Sequence, residues 1–240
     1  MKQLIIANWK MSISFDEAMS LLKYIDVTNS NNELIVAPPI PYLSHISTIL
    51  KNAKLCSQDT SIYKGYGAYT GEFSASVLKS MGVKYAILGH SERRTYFEEA
   101  NITVRKKVEN CIEHNITPIV CVGESIEIRR SGQYKDFILN QLFESLPSSN
   151  NGQIVIAYEP VWAIGSGLTP SLDEIKEISD MLHNSKELDS VAKDSYIVYG
   201  GSVGAKNIVQ ILEIDGIHGV LIGSASTKPD ELSSILDRIF

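Results

Sequence analysis

Four residues from three distant parts of the chain have side chains suited to moving a proton or to steadying the charge it leaves. Lys10 stands just past an apolar run, two positions after Asn8. A lysine there can act as a Schiff-base nucleophile, as a fixed positive charge for an anionic substrate, or as a solvated loop residue. Asn8 adds an amide donor. His90 lies in the stretch Leu-Gly-His-Ser-Glu-Arg-Arg at 88–94, between an aliphatic run and a helical turn that starts at Ser91. The N-terminus of that turn disfavours an imidazolium and keeps the ring neutral. Glu159 ends another aliphatic run and is followed by Pro160, Val161, Trp162 and Ala163. A partly dehydrated carboxylate is a strong candidate for general base. The bland alternatives are a satisfied core histidine and a glutamate in a surface ion pair.

Residues 160–169 have a proline at one end, an apolar middle and two glycines, Gly165 and Gly167. That make-up suits a hinged lid whose apolar tip excludes water, although an ordinary turn would use some of the same residues. Two glycine-rich segments, 199–203 and 222–226, include Ser202, Gly223 and Ser224. Consecutive backbone N–H groups at such places form anion nests; otherwise the glycines serve only tight turns. Taken together, the parts specify proton abstraction α to a carbonyl in a small phosphorylated substrate. Glu159 takes the proton, neutral His90 and Asn8 polarise oxygens, Lys10 opposes the developing charge, and the glycine loops hold phosphate. The scheme needs no metal and no cofactor, and none of the five histidines is paired at helical metal-ligand spacing.

Something must bring these residues to one place. Short β-branched or aliphatic runs recur at 4–7, 34–37, 54–56, 85–88, 119–122, 154–157, 196–199 and 220–222, with polar helical patterns between them. Most are continuous rather than alternating, as strands covered on both faces should be. Ser14/Glu17 and Ser171/Glu174 each have capping-box spacing, and Pro229 suits the first position of a last helix. Phe15, Ala18, Met19, Leu22 and Ile25 read as one buried helix face. Nearly every strand ends in polar or glycine residues, among them Gln58 and Glu124. Ligand groups on many strand ends favour an α/β (β/α)8 barrel over an open sheet with one switch point. No linker, low-complexity tract or charge block divides the chain, so one barrel spans residues 1–240.

Composition sets the outer limits. The 240 residues carry a formal net charge of −6, which argues against nucleic acid or an anionic membrane as partner. Three cysteines, Cys56, Cys111 and Cys121, form no disulfide framework, and the first apolar run is too short for a signal peptide. A cytoplasmic protein with no membrane segment is expected.

At these residues the chain resembles the triosephosphate isomerase family. The resemblance runs through 8–11 (Asn-Trp-Lys-Met), 67–72 (Gly-Ala-Tyr-Thr-Gly-Glu), 89–94, 121–124 (Cys-Val-Gly-Glu), 157–165 and 199–203, in order. It implies interconversion of dihydroxyacetone phosphate and glyceraldehyde 3-phosphate through an enediol, in glycolysis and gluconeogenesis. It implies Glu159 as base, His90 as electrophile and Lys10 as cation, with Asn8 contacting substrate. Ser91 and Glu92 support the site, Glu92 pairing Lys10 between turnovers. Gly165, Ser202, Gly223 and Ser224 match the phosphate contacts. A homodimer is also implied, the loop 59–72 inserting into the neighbour so that Thr70 braces the partner's Asn8 and Lys10. Without the family, that loop is a long one with Tyr63, Tyr66 and Tyr69 among glycines, suited to an interface.

Four positions depart from the family pattern. Ser224 replaces a glycine, which restricts its backbone and threatens phosphate affinity. Asp59 replaces asparagine, so a buried charge needs a donor or a proton, and dimer stability becomes pH-dependent. Pro170 has no N–H to give to Tyr199, leaving Ser202 with the Gly167 region as the alternative latch. Asn101 replaces aspartate and weakens an ion pair with Arg94. Two other functions remain to be weighed. A Schiff-base aldolase needs its lysine on a strand in an apolar pocket, and a non-catalytic binding barrel would be expected to have lost its base or its lid.

Overall fold

Eight β-branched or aliphatic segments pair in parallel, each with the next, and the last returns to the first. In the computed structural model, which describes residues 2–25, 32–148, 152–164, 168–192 and 195–240, they form one closed barrel in the order β1 to β8. The strands are β1 (Leu4–Asn8), β2 (Glu33–Ala37), β3 (Lys54–Ser57), β4 (Tyr85–Leu88), β5 (Thr117–Val122), β6 (Val155–Tyr158), β7 (Tyr196–Tyr199) and β8 (Gly219–Ile222). Closure is made by β1, whose Leu4 to Ala7 register with Glu33 to Val36 on one side and with Gly219 to Ile222 on the other.

Each strand is apolar on both faces because it borders two cores. Leu4, Ile6, Ile35, Cys56, Ile87, Ile119, Cys121, Val155, Val198 and Leu221 pack with one another inside the barrel. The alternate residues, such as Ile5, Val36, Leu55, Leu88, Val120, Ile156, Ile197 and Val220, join the larger core under the helices. That division at a period of two is the reason the strand segments read as continuous apolar runs.

All eight expected strands are present, with shifted ends. β5 begins at Thr117, two residues before the aliphatic run, because Thr117 and Pro118 find partners in Tyr85 and Ala86. Both capping boxes form, at Ser14 with Glu17 and at Ser171 with Glu174, and Pro229 opens the last helix, Pro229–Ile239. One expectation fails in part. The first helix is only Phe15–Leu21, and Phe15 lies half exposed, edge-on to Tyr42 and His45, rather than on the buried face. Leu21 takes its place in the core. The strand-to-helix connections put the polar strand ends at one rim of the barrel, and there the site forms.

Candidate active site

Glu159 directly follows β6 and is 2% exposed. Its backbone N–H donates to Val122 O at 2.8 Å, so the strand pairing extends through it. Two glycines clear its surroundings: a Cβ on Gly123 would lie 1.7 Å from Glu159 O, and one on Gly200 would lie 2.9 Å from Glu159 Cγ. Close packing of strand on strand and free space for the side chain are thus both bought with absent side chains. Glu159 Oε2 accepts the Ser91 N–H at 2.9 Å, and Oε1 lies 3.1 Å from His90 Nε2.

His90 occupies the N-cap of the helix Ser91–Tyr96, and its Nδ1 accepts the Glu92 N–H at 3.2 Å. An Nδ1 that accepts carries no proton, so a neutral ring has its hydrogen on Nε2, the nitrogen that faces Glu159 Oε1. The same turn therefore fixes the tautomer, aims the donor and supplies the N–H that holds the carboxylate.

Lys10 has a left-handed backbone, with φ of 50°, an uncommon conformation for a side-chain-bearing residue. Asn8 Oδ1 accepts its N–H at 3.0 Å, and Gln58 Nε2 donates to its carbonyl at 2.9 Å and to Ala37 O at the same distance. Strain of this kind persists only where the surroundings over-determine it. Lys10 Nζ pairs with Glu92 Oε1 at 2.6 Å. Gln58 was legible only as a polar strand end; its service to Lys10 depends on β3 lying beside the β1 loop.

These groups converge on a cavity of about 350 Å³ lined by Asn8, Lys10, His90, Glu159, Gly201 and Ser202, with Gly223 and Ser224 opposite. Ser202 Oγ donates to Ala163 O at 3.1 Å, tying the loop after β7 to the one after β6. Ser224 opens a short 3-10 turn, Ser224–Thr227, and is not among the residues with positive φ, so its side chain brings no left-handed strain. Gly165, and Gly167 with it, lie outside the described residues. Pro170 is buried, and the Tyr199 hydroxyl has no hydrogen-bond partner among the described residues. Thr70 is exposed, on the loop where Tyr63 and Tyr69 stack with centroids 3.7 Å apart.

Glu124 is fully buried and takes Tyr158 OH at 3.1 Å and Trp162 Nε1 at 2.9 Å on one oxygen. Burial raises its pKa, against those donors and the Arg129 charge. The sequence showed it only as the end of a strand. Asp59 has its donors: Lys107 Nζ at 2.7 and 2.8 Å and Arg93 Nη2 at 3.0 Å. Burial nevertheless pushes its carboxyl upward. Glu99 shares Lys107 and Arg93; burial opposes its charge too, but the Lys107 hydrogen bond and charge outweigh it and hold the carboxyl low. Asn101 keeps Arg94 through Oδ1 at 2.6 Å, while Gly89 O accepts the Arg94 Nε–H at 2.7 Å, so the guanidinium stays anchored without an aspartate. Among the described residues no cluster of histidine, cysteine and carboxylate groups could hold a metal ion.

A parallel eight-stranded barrel with a carboxylate, an imidazole and a lysine at the carboxyl ends of its strands defines a proton-transfer enzyme class. The family model described as triosephosphate isomerase matches residues 3–239, and the chain belongs to the triosephosphate isomerase family. A triosephosphate isomerase of Orientia tsutsugamushi (strain Ikeda) is 43% identical over 100% of this chain and 98% of its own length. One of Alkaliphilus oremlandii is 42% identical, over 98% and 99%. The crystal structure of triosephosphate isomerase from Bartonella henselae superposes with a TM-score of 0.85 at 33% identity, covering 99% of this chain and 98% of that one.

Proposed function

We infer that this chain interconverts dihydroxyacetone phosphate and D-glyceraldehyde 3-phosphate through an enediolate, as an aldose–ketose isomerase of glycolysis and gluconeogenesis, without metal or cofactor. The observation that carries the reading is the Glu159–His90 pair, a buried carboxylate 3.1 Å from Nε2 of an imidazole whose Nδ1 accepts an N–H of its own helix turn. When a substrate carbonyl enters, its oxygen takes the His90 Nε2–H, and Glu159 Oε1 loses that partner. The space left by Gly200 lets the carboxylate turn toward the carbon that bears the proton. Glu159 abstracts the proton from one carbon and returns it to the neighbouring carbon. His90 gives its Nε2 hydrogen to the carbonyl oxygen and takes one back from the neighbouring hydroxyl, so the oxygens exchange a proton as the carbons do; Asn8 holds those oxygens, and Lys10, released from Glu92, opposes the charge. Ser202, Gly223, Ser224 and Gly165 are assigned to the phosphate; Ser91 and Glu92 position the catalytic groups. The test is a coupled isomerisation assay on purified protein: turnover that requires the substrate phosphate supports the reading, and its absence overturns it. Borohydride trapping with dihydroxyacetone phosphate decides against the aldolase alternative if Lys10 stays unmodified.

We also assign one barrel unit to residues 1–240, with 160–169 as the lid and 59–72 as the arm of a homodimer. Met11 (95% exposed), Tyr66 (82%), Tyr96 and Phe97 support the dimer, because all lie in segments at the carboxyl ends of β1, β3 and β4 and their apolar surface needs cover. Thr70 on that arm would reach the partner's catalytic loop. Sedimentation velocity showing twice the chain mass is the expected result. A cytoplasmic location is supported by three buried free cysteines, and no helix among the described residues is long and apolar enough to cross a membrane.

A further inference from the structure

Arg129 lines no part of the catalytic cavity, yet its contacts reach both flanks of the segment that follows the base. Its side chain is 13% exposed and lies over the Tyr134 ring at 4.1 Å, in the helix Ile126–Ser131 after β5. On one side, Nη1 stands 3.6 Å from Glu124 Oε1 and makes no hydrogen bond among the described residues. That Glu124 oxygen accepts from Tyr158, the residue before Glu159, and from Trp162, three residues after it. The Glu124 carbonyl accepts the Val161 N–H at 3.1 Å. Glu159 is therefore bracketed by groups fastened to Glu124. On the other side, Arg129 Nη2 donates to Glu174 Oε1 at 3.1 Å, while Glu174 Oε2 caps Ser171 through its N–H at 2.9 Å and its hydroxyl at 3.1 Å.

We propose that Arg129 is a positioning residue for Glu159: by balancing the buried Glu124 carboxylate and gripping Glu174, it fixes the chain before and after the base and sets the direction from which the carboxylate reaches substrate. The physical need is plain at Glu124. It is fully buried, its Oε2 has no partner, and Arg129 is the one cation within ion-pair distance among the described residues. Without that charge the carboxylate takes up a proton or turns away, and the Tyr158 and Trp162 anchors slacken together. A misplacement of the base by a fraction of an ångström lowers turnover while leaving phosphate binding alone. Arg129 suits the task better than lysine, because its fork addresses Glu124 and Glu174 at once, with Glu177 Oε2 3.6 Å from the Nη2 that serves Glu174, while its plane rests on Tyr134.

The inference rests on Glu159 being the base, and the experiment separates the two. R129M, R129K, E124Q and the double variant R129M/E124Q are assayed beside E159D with glyceraldehyde 3-phosphate. R129M is expected to lose about tenfold in kcat with KM within about twofold, R129K to lie between it and wild type, and the double variant to lose no more than the worse single one. Emission from Trp162 is expected to shift in R129M and to be absent in W162F, since Trp9, the other tryptophan, is fully buried elsewhere. A kcat within about twofold of wild type, a loss confined to KM, or losses that multiply in the double variant would each overturn the proposal. If R129M does not fold, R129K alone is read by the same criteria. If E159D keeps full turnover, the base assignment falls and this inference with it; if E159D is crippled while R129M is not, only the positioning role falls.

Discussion

Among the described residues, two of the cavities are of nearly equal size, lie at opposite ends of the barrel and each contain histidine. The one at the carboxyl ends of the strands has about 350 Å³ and holds His90; the other, near the start of β7 and β8, has about 330 Å³ and is lined by His183, His218, Tyr196, Asp189 and Gln153. Volume and residue type do not separate them. What separates them is how the rings are committed. His218 Nδ1 accepts the Ile197 N–H at 3.0 Å, with its ring edge-on to His183 and Tyr196, and His183 Nε2 meets Gly216 O at 2.8 Å. Those imidazoles close strand ends. His90 spends its Nδ1 on its own helix turn and directs its Nε2 donor into a cavity shared with a carboxylate and a lysine. A site is defined by convergence of exchangeable donors and acceptors, here at the carboxyl rim where successive strands each deliver one group.

The contrast should be sharpest in turnover. Glu159→Gln removes the proposed base and is expected to lower kcat by about a thousandfold, in a coupled assay, with the fold intact by circular dichroism. His90→Gln keeps a donor but not its aim, and about a hundredfold loss is expected, again in kcat. His218→Leu, at the opposite end, should leave kcat within about twofold while costing roughly 1–2 kcal/mol in denaturant unfolding, because the Ile197 N–H loses its acceptor. A kcat loss in His218→Leu to match that of His90→Gln would erase the distinction drawn between the two cavities.

The pH dependence extends the comparison. Burial, and then His183, lowers the His218 pKa below its ordinary 6.5. Below that pH the unfolded chain takes up a proton that the folded ring refuses. The stability His218 contributes is therefore complete above about 6.5 and is lost as pH falls toward the lowered folded value. His218→Leu should flatten that limb. The smallest effect is expected at Asp59, whose folded pKa is raised above 3.8, chiefly by burial. Its folded form binds a proton first, so it gains stability as pH falls through the raised value toward 3.8, offsetting part of the acid loss caused by Glu99, whose pKa is lowered. Asp59→Asn lacks that offset, and its unfolding free energy should drop more steeply on acidification than that of wild type.

Part of the candidate site was legible beforehand because several of its members lie at the ends of apolar strand runs. Asn8, His90 and Glu159 sit at or directly after strand ends, and a barrel brings all such ends to one rim. Glu124 and Gln58 end strands too, but nothing in their spacing reveals that one fastens Tyr158 and Trp162 or that the other holds a left-handed Lys10. Those are contacts between neighbouring strands, created by pairing register. Phe15 shows the converse limit: helical spacing marked it as core, but the helix ends at Leu21, and its first turn faces Tyr42 and His45 at the rim.

By itself the sequence determined the eight strands, the capped helices and the residue types at the rim, because these depend on local periodicity and on turn chemistry within a few positions. Only the tertiary structure decided which oxygen of Glu159 meets His90, that the other ring nitrogen accepts from the helix turn, that Asp59 and Glu99 share one lysine, and that Arg129 reaches both flanks of Glu159. Each of those is set by distances of a few ångströms between residues tens of positions apart, and only packing fixes such distances.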